Sequence, residues 1–276
     1  MTTGMAPIVT IHDLRFAYPD GTVALDGVSL SAEAGSIVAV VGQNGSGKTT
    51  LAKHLNGLLR PTAGRVVVDG LDTTRHPVRR LAGHVGYVFQ NPLHQLFART
   101  VADELAFGPR NLGVAAPEVA ERVATTATSL GLEPHLGAHP HRLPLPVRKL
   151  VSIASVLTMR TPILVLDEPT TGQDHRTADR IADVIRDLSA AGTTVIAVSH
   201  DMLLVAAIAD RLVVLDGGRL VADGRPRDVL SDAQLAATTR LAPPQITQLA
   251  MALPGRTGRR IVLSVPELVA ELRDAR

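Results

Sequence analysis

Short continuous apolar runs alternate along the chain with longer stretches in which apolar residues return every third or fourth position. The continuous runs are Ile37-Val38-Ala39-Val40-Val41, Val85-Gly86-Tyr87-Val88-Phe89, Ile163-Leu164-Val165-Leu166 and Thr194 to Val198. Their length suits strands buried on both faces. Residues Val9 to Leu30 read as two strands around the turn Pro19-Asp20-Gly21, and Arg65-Val66-Val67-Val68 as another running into Asp69-Gly70. Arg211 to Asp216 and Arg219 to Asp223 predict a hairpin on Gly217-Gly218. Helical spacing covers Thr50 to Leu58, Val101 to Leu132, about Val147 to Met159, and Arg176 to Ala191, with breaks expected at Pro109, Gly113, Pro117 and Gly131. From Pro226 onward the helical patterns are short and broken at Pro243-Pro244 and Pro254-Gly255. No solenoid repeat is visible. Strands alternating with helices predict a mostly parallel α/β sheet covered on two sides. The block from about Gln90 to Arg160 reads as an inserted helical subdomain.

Composition narrows the class. Of 276 residues 45% are hydrophobic, enough for a core, but only 2% are aromatic and Trp is absent. A core of Ala, Val, Leu and Ile follows, and a base-stacking nucleic-acid surface does not. The net charge of +2 predicts no strong attraction to DNA. With no cysteine, disulfides and thiolate metal sites are excluded, which fits a reducing compartment. Met1 to Thr10 lacks the pattern of a signal peptide. No apolar run approaches the ~20 residues of a membrane-spanning helix, so work at a membrane would require docking onto another subunit.

Between the run Ile37 to Val41 and the helical stretch that follows lies Gly42-Gln43-Asn44-Gly45-Ser46-Gly47-Lys48-Thr49, followed by Thr50. Strand, glycine loop and helix form a phosphate cradle. The glycines let backbone N–H groups turn toward an anion, and the helix start adds positive dipole. Lys48 would reach the outer phosphates and the Thr49 hydroxyl would ligate Mg²⁺. The chain is therefore expected to bind a nucleoside triphosphate.

Such a loop needs a metal-binding carboxylate on a second strand. Asp167 ends the run Ile163 to Leu166, at the strand end where open α/β sheets bind ligands. Glu168 follows it and could orient or deprotonate an attacking water without a covalent intermediate. His200, just past the strand ending at Val198, could hydrogen-bond a terminal phosphate. Gln90, past another strand, offers an amide to Mg²⁺ or water, and Tyr18 could stack on adenine. Taken singly, a His after a strand is more often structural and a Tyr more often core.

The order of these features is specific. An aromatic residue, the phosphate loop, Phe89-Gln90-Asn91-Pro92, a helical insert, Leu164-Val165-Leu166-Asp167-Glu168-Pro169-Thr170, Asp174, and Ser199-His200-Asp201 resemble the ATP-binding subunit of an ATP-binding cassette (ABC) transporter over roughly Ile8 to Asp223. The resemblance implies a P-loop NTPase core with a mostly parallel sheet, an antiparallel β subdomain and an inserted helical subdomain. It casts Tyr18 as the adenine-stacking residue, Gln90 as the sensor toward a membrane subunit and Asp174 as part of the loop crossing the dimer. Glu168 becomes the catalytic base and His200 the γ-phosphate switch, with ATP and Mg²⁺ as ligands. More narrowly, Phe89 to Phe97 and Val101-Ala102-Asp103-Glu104-Leu105-Ala106-Phe107-Gly108-Pro109 are similar to the ATPases of energy-coupling-factor (ECF) importers of vitamins or transition-metal ions. The tail, with Leu241-Ala242-Pro243-Pro244-Gln245-Ile246, is similar to their dimer-contacting extension. The implied layout is a domain over 1–225, its helical part about 91–160, and an extension over 226–276. It would lie at the cytoplasmic face of the membrane with a coupling subunit and a substrate-binding subunit.

One stretch departs from the family. Where its members carry a Leu-Ser-Gly-Gly-Gln-like signature, this chain has Leu143-Pro144-Leu145-Pro146-Val147. Pro144 lacks the hydroxyl, neither proline has an N–H to donate, and Leu145 adds bulk. The helix can still form, because proline is tolerated in a first turn. The expectation is an asymmetric pair in which a different ATPase supplies the intact signature. Alternatives are a low-activity structural half and a soluble ABC ATPase acting on DNA or ribosomes, which the single cassette, absent Cys and absent heptads disfavour. His135, His139 and His141 lack a carboxylate cluster and read as a solvated loop. Arg148-Lys149 reads as a surface or subunit contact, and Arg256 to Arg260 as a solvated turn.

Overall fold

Alternate residues of the central strands face two different cores, and that division places the site. The structure is a computed structural model describing residues 7–253 and 261–274, so the break and turn expected over 254–260 lie outside the described residues. The first half of the chain contains β1 (Val9–Ala17), β2 (Val23–Ala32), β3 (Ile37–Val41), α1 (Lys48–Leu55), β4 (Ala63–Val68), β5 (Leu71–Asp72), α2 (Val78–Leu81), β6 (Val85–Val88), α3 (Val101–Asn111) and α4 (Ala116–Leu130). Then follow α5 (Leu145–Leu157), β7 (Ile163–Asp167), α6 (His175–Ala190), β8 (Thr194–Val198), α7 (Met202–Ile208), β9 (Arg211–Asp216) and β10 (Arg219–Gly224). The tail adds α8 (Pro226–Ser231), α9 (Ala233–Thr239), α10 (Gln245–Ala252) and α11 (Val265–Asp274).

The main sheet has the order β10-β9-β3-β8-β7-β6. It is parallel from β9 to β6, with β10 antiparallel at one edge. A second, antiparallel sheet has the order β2-β1-β4-β5. Period-two geometry divides each central strand between layers. Ile163 and Val165 of β7, Val38 and Val40 of β3, and Ile196 and Val198 of β8 join α1 and the antiparallel sheet in one core. Leu164, Leu166, Val195 and Ala197 face the opposite core, built with α3 to α7. The α/β class with a helical part is as the sequence predicts.

Three expectations about helices are corrected. Pro109 does not break the helix but lies inside α3. Proline deprives the carbonyl four residues earlier of its donor, and here the Thr158 hydroxyl donates to that Leu105 carbonyl at 2.8 Å. Pro117 likewise sits in the first turn of α4, where no N–H is needed. The helix expected from Val147 starts at Leu145, with Pro144 as its N-cap and Pro146 in its first turn. The β6 strand stops one residue short of expectation because the Phe89 N–H turns to the Gln95 side chain at 3.1 Å.

Candidate active site

The phosphate loop leaves β3, whose five residues are all buried, and enters α1 at Lys48. Its conformation demands glycine at two points. Gly42 has φ 148° and a Cβ there would lie 2.1 Å from the Leu215 carbonyl oxygen. Gly47, the helix N-cap at φ 99°, would bring a Cβ to 2.5 Å from the Ala24 oxygen. The Lys48 ammonium folds back over the loop, donating to the carbonyls of Gly42 and Gln43 at 2.8 Å each. Burial lowers its pKa, against the attraction of Glu168 and Asp167.

Asp167 is 1% exposed at the end of β7. Thr49 donates its hydroxyl to one carboxylate oxygen at 3.2 Å and Tyr87 donates its phenol to the other at 3.2 Å. Burial raises the Asp167 pKa, opposed by the Thr49 and Tyr87 hydrogen bonds. Burial also pushes the Tyr87 phenol far up, reinforced by the charge of Asp167. Glu168 occupies the left-handed region at φ 52°, rare for a residue with a side chain. Its Oε2 lies 2.7 Å from Nδ1 of His200.

Lys48, Thr49 and Glu168 line a cleft of about 480 Å³ together with Tyr18, Thr50, Gln90, Asn44, Gly45 and Gly47, and Thr49 links it to the buried Asp167. Tyr18 is 37% exposed, packs edge-on against Phe16 and shares a 2.9 Å hydrogen bond with Thr50. His200 lines the adjoining cleft with Gln43 and Asn44. Ser46, within the loop, is buried. Asp174 is placed apart from this cluster, exposed at the N-cap of α6, where the Thr177 N–H holds its pKa low. A larger cavity of about 700 Å³ lies against α8 and contains none of these residues. A glycine loop that enters the start of α1 beside Lys48 suits phosphate, and the oxygen donors of Thr49, Asp167 and Gln90 suit a hard cation such as Mg²⁺.

The basic pair Arg148-Lys149 is corrected from its expected surface role. Arg148 donates to the carbonyls of Leu143 at 2.6 Å and His141 at 2.5 Å. Lys149 is 2% exposed and donates to the carbonyls of Phe89, Gln90 and Asp167. Burial pushes its pKa down to about 8, against the pull of Asp167 and Glu168. The signal available was position: Lys149 follows the helix start by one turn, on the face that the apolar spacing of α5 buries. Tyr87, 80 residues from Asp167, carried no local signal of its role. His141 reaches the Leu96 carbonyl at 3.0 Å, and the His139 and His141 rings stand 5.7 Å apart. Among the described residues no group of three His, Asp or Glu is placed to hold a metal. Nor is any helix among them long and apolar enough to cross a membrane.

The sequence pattern of the ABC transporter family matches residues 25–171. An energy-coupling factor transporter ATP-binding protein, EcfA, of Methanothermobacter thermautotrophicus is 43% identical over 88% of this chain and 78% of its own length. The EcfA of Methanocaldococcus jannaschii is 39% identical over 88% of each chain. The solved structure of cbiO1 from Clostridium perfringens, part of the ABC transporter complex cbiONQ, matches with a TM-score of 0.75 and 32% identity over 90% of this chain and 100% of that one. Phosphate loop, carboxylate pair and these likenesses agree: the chain belongs to the ABC transporter family, as an ATP-hydrolysing, ATP-binding subunit similar to EcfA.

Proposed function

We propose that the chain powers an ECF-type importer of a vitamin or transition-metal ion as one half of an asymmetric ATPase pair. In this reading Tyr18 stacks on adenine, and the loop Gly42 to Thr50 with Lys48 holds the phosphates. Thr49, Asp167 and Gln90 hold Mg²⁺, which when bound supplies charge to stabilise the phosphoryl oxygens. Glu168 takes a proton from the attacking water, and His200 fixes Glu168 and senses the terminal phosphate. Asp174 belongs to the loop facing the partner.

The observation that carries the asymmetry is the start of α5. Pro144 caps it with no side-chain hydrogen bond, and Pro146 occupies its first turn. Leu145 is 56% exposed. A helix start normally offers N–H groups and dipole to an anion. This one offers two residues without N–H and an apolar side chain. A phosphate on a partner's loop would find few donors here, so the chain's own loop would work with a signature from another ATPase.

The helical block 91–160 would face the membrane subunit beside Gln90, and the extension 226–276 would contact the partner ATPase. Val265, Val269 and Leu272 are exposed at four- and three-residue spacing, which puts them on one face of α11. The assembly would hold the chain at the cytoplasmic face of the membrane, bound to coupling and substrate-binding subunits.

The test is ATP hydrolysis by the purified chain alone and by the chain co-purified with its partners. Turnover only in the complex, lost on Glu168→Gln, is the expected result. Brisk hydrolysis by the pure chain would sink the asymmetry. The proline-bearing helix start also favours a second reading, in which this half mainly binds nucleotide; survival of transport and hydrolysis in the Glu168→Gln complex would select it.

A further inference from the structure

A buried lysine with no carboxylate partner holds the two catalytic strand ends together. Lys149 Nζ donates to the carbonyl oxygens of Phe89 at 2.9 Å, Gln90 at 3.0 Å and Asp167 at 3.2 Å. An ammonium has three N–H groups, and all three are engaged. Its direct acceptors are neutral carbonyls, and although the charges of Asp167 and Glu168 favour it, burying an ammonium there is costly, so a surface or packing role does not account for it. An apolar side chain would fill the same space without that cost.

The positions of the three carbonyls give the reason. Two belong to the exit of β6, where the chain turns into the Gln90 loop. The third is half of the peptide between Asp167 and Glu168. The other half of that peptide, the Glu168 N–H, donates to the Val198 carbonyl at 2.9 Å. The peptide plane is therefore gripped at both ends, by Lys149 from α5 and by β8. Glu168 is held at φ 52°, a conformation that persists only where its surroundings over-determine it. In that conformation its carboxylate meets His200 and the cleft.

We infer that Lys149 is a positioning residue, which fixes Glu168 and Gln90 in one working arrangement through their backbone. It is buried and does not line the phosphate cleft. This inference rests on the roles proposed above for Glu168 and Gln90. The same helix carries the Pro144–Pro146 start, so movement of α5 against the sheet would be felt at both residues through one side chain.

The test uses the full chain in its co-purified complex, with Lys149→Met, Lys149→Gln, Glu168→Gln and the double variant Lys149→Met/Glu168→Gln. ATP affinity, KM, kcat and thermal unfolding are measured for each. Lys149→Met should lower kcat about 100-fold, as expected for displacing a general base, while ATP affinity changes by less than about 3-fold because the phosphate loop is untouched. Lys149→Gln, which keeps two donors, should recover part of kcat. In the Glu168→Gln background Lys149→Met should add little to the loss of kcat, since its effect on the chemical step runs through Glu168. Wild-type kcat in Lys149→Met would overturn the inference, as would parallel loss of kcat and affinity. If Lys149→Met does not fold, Lys149→Gln carries the same test, and failure of both to fold makes the residue structural and overturns it. A Glu168→Gln complex that still hydrolyses ATP would instead overturn the proposed role of Glu168, independently of Lys149.

Discussion

The side-chain amide of Gln173 donates to the backbone carbonyl of Pro146 over 3.1 Å, joining the loop after Glu168 to the proline-bearing start of α5. The contact uses a backbone oxygen, so it does not depend on proline. The two loops expected to face a partner ATPase thus form one surface, and its chemistry can be changed at the α5 start without breaking that link.

Restoring donors at this surface should convert the chain toward self-sufficiency. The variant Pro144→Ser/Leu145→Gly/Pro146→Gly replaces two missing N–H groups and a hydroxyl while keeping the carbonyl that Gln173 uses. Charge-assisted hydrogen bonds contribute roughly 1.5–3 kcal/mol each, so even one regained contact should raise ATP turnover of the isolated chain by ~10-fold or more. The two added glycines should lower thermal stability slightly, by about 0.5–1 kcal/mol each. Steady-state hydrolysis against protein concentration checks this, because a self-completing site makes turnover rise with dimer formation.

Glycine positions in the phosphate loop should rank by backbone contact rather than by sequence pattern. At Gly42 a Cβ would collide with the Leu215 carbonyl, whereas Gly45, at φ 83°, has open space around it. Gly42→Ala is expected to abolish ATP binding or folding. Gly45→Ala should cost only the left-handed penalty of about 1–2 kcal/mol and leave measurable binding. Melting temperature and titration with a fluorescent ATP analogue separate the two outcomes.

Stability should fall on mild acidification through His54. The imidazole is fully buried in α1, edge-on to Phe16, with Nδ1 2.7 Å from the Thr50 carbonyl. Burial lowers its pKa from the ordinary 6.5, opposed by the carbonyls of Thr50 and Arg60. The unfolded chain therefore takes up a proton near pH 6.5 that the folded chain refuses until a lower pH. Its contribution is complete above 6.5 and is lost as pH falls toward the folded value. Melting curves between pH 7.5 and about 5 should show a smaller decline for His54→Phe than for the wild type.

How far the sequence foretells this molecule depends on whether the cause of a feature is local. Ile37–Val41, Ile163–Asp167 and Thr194–Val198 announce themselves as buried strands because every residue faces a core. The phosphate loop, Asp167 and Glu168 are legible because phosphate chemistry fixes residue types at short spacing. The Pro109 helix is illegible because its missing bond is made by Thr158, the residue that caps the C-terminus of α5. Arg148-Lys149 reads as a surface or subunit contact until the fold brings the carbonyls of Phe89 and Asp167 to Lys149 from two strand ends. The positive φ of Glu168 likewise sits at a peptide held by partners on α5 and β8, and nothing in its neighbours signals it.

Docking to a membrane subunit should depend on an aromatic pair beside the Gln90 loop. Phe97 and Phe107 are 60% and 48% exposed, with rings 4.6 Å apart in an edge-on arrangement. Their presentation is built from below. Glu104, 3% exposed, accepts the N–H groups of Phe97 at 2.9 Å and Ala98 at 2.7 Å, so the loop is anchored to α3 before any partner arrives. Burying a Phe contributes roughly 1.5–3 kcal/mol, so Phe97→Ser/Phe107→Ser should weaken assembly about 100-fold or more. Neither ring lines the phosphate cleft, and ATP affinity should stay within about 2-fold of wild type. Co-purification with the membrane subunits alongside nucleotide titration checks both arms. Glu104→Gln should give a milder loss of assembly, because its amide retains one acceptor for the two N–H groups. If the double serine variant assembles like the wild type, the membrane contact lies elsewhere on the helical block.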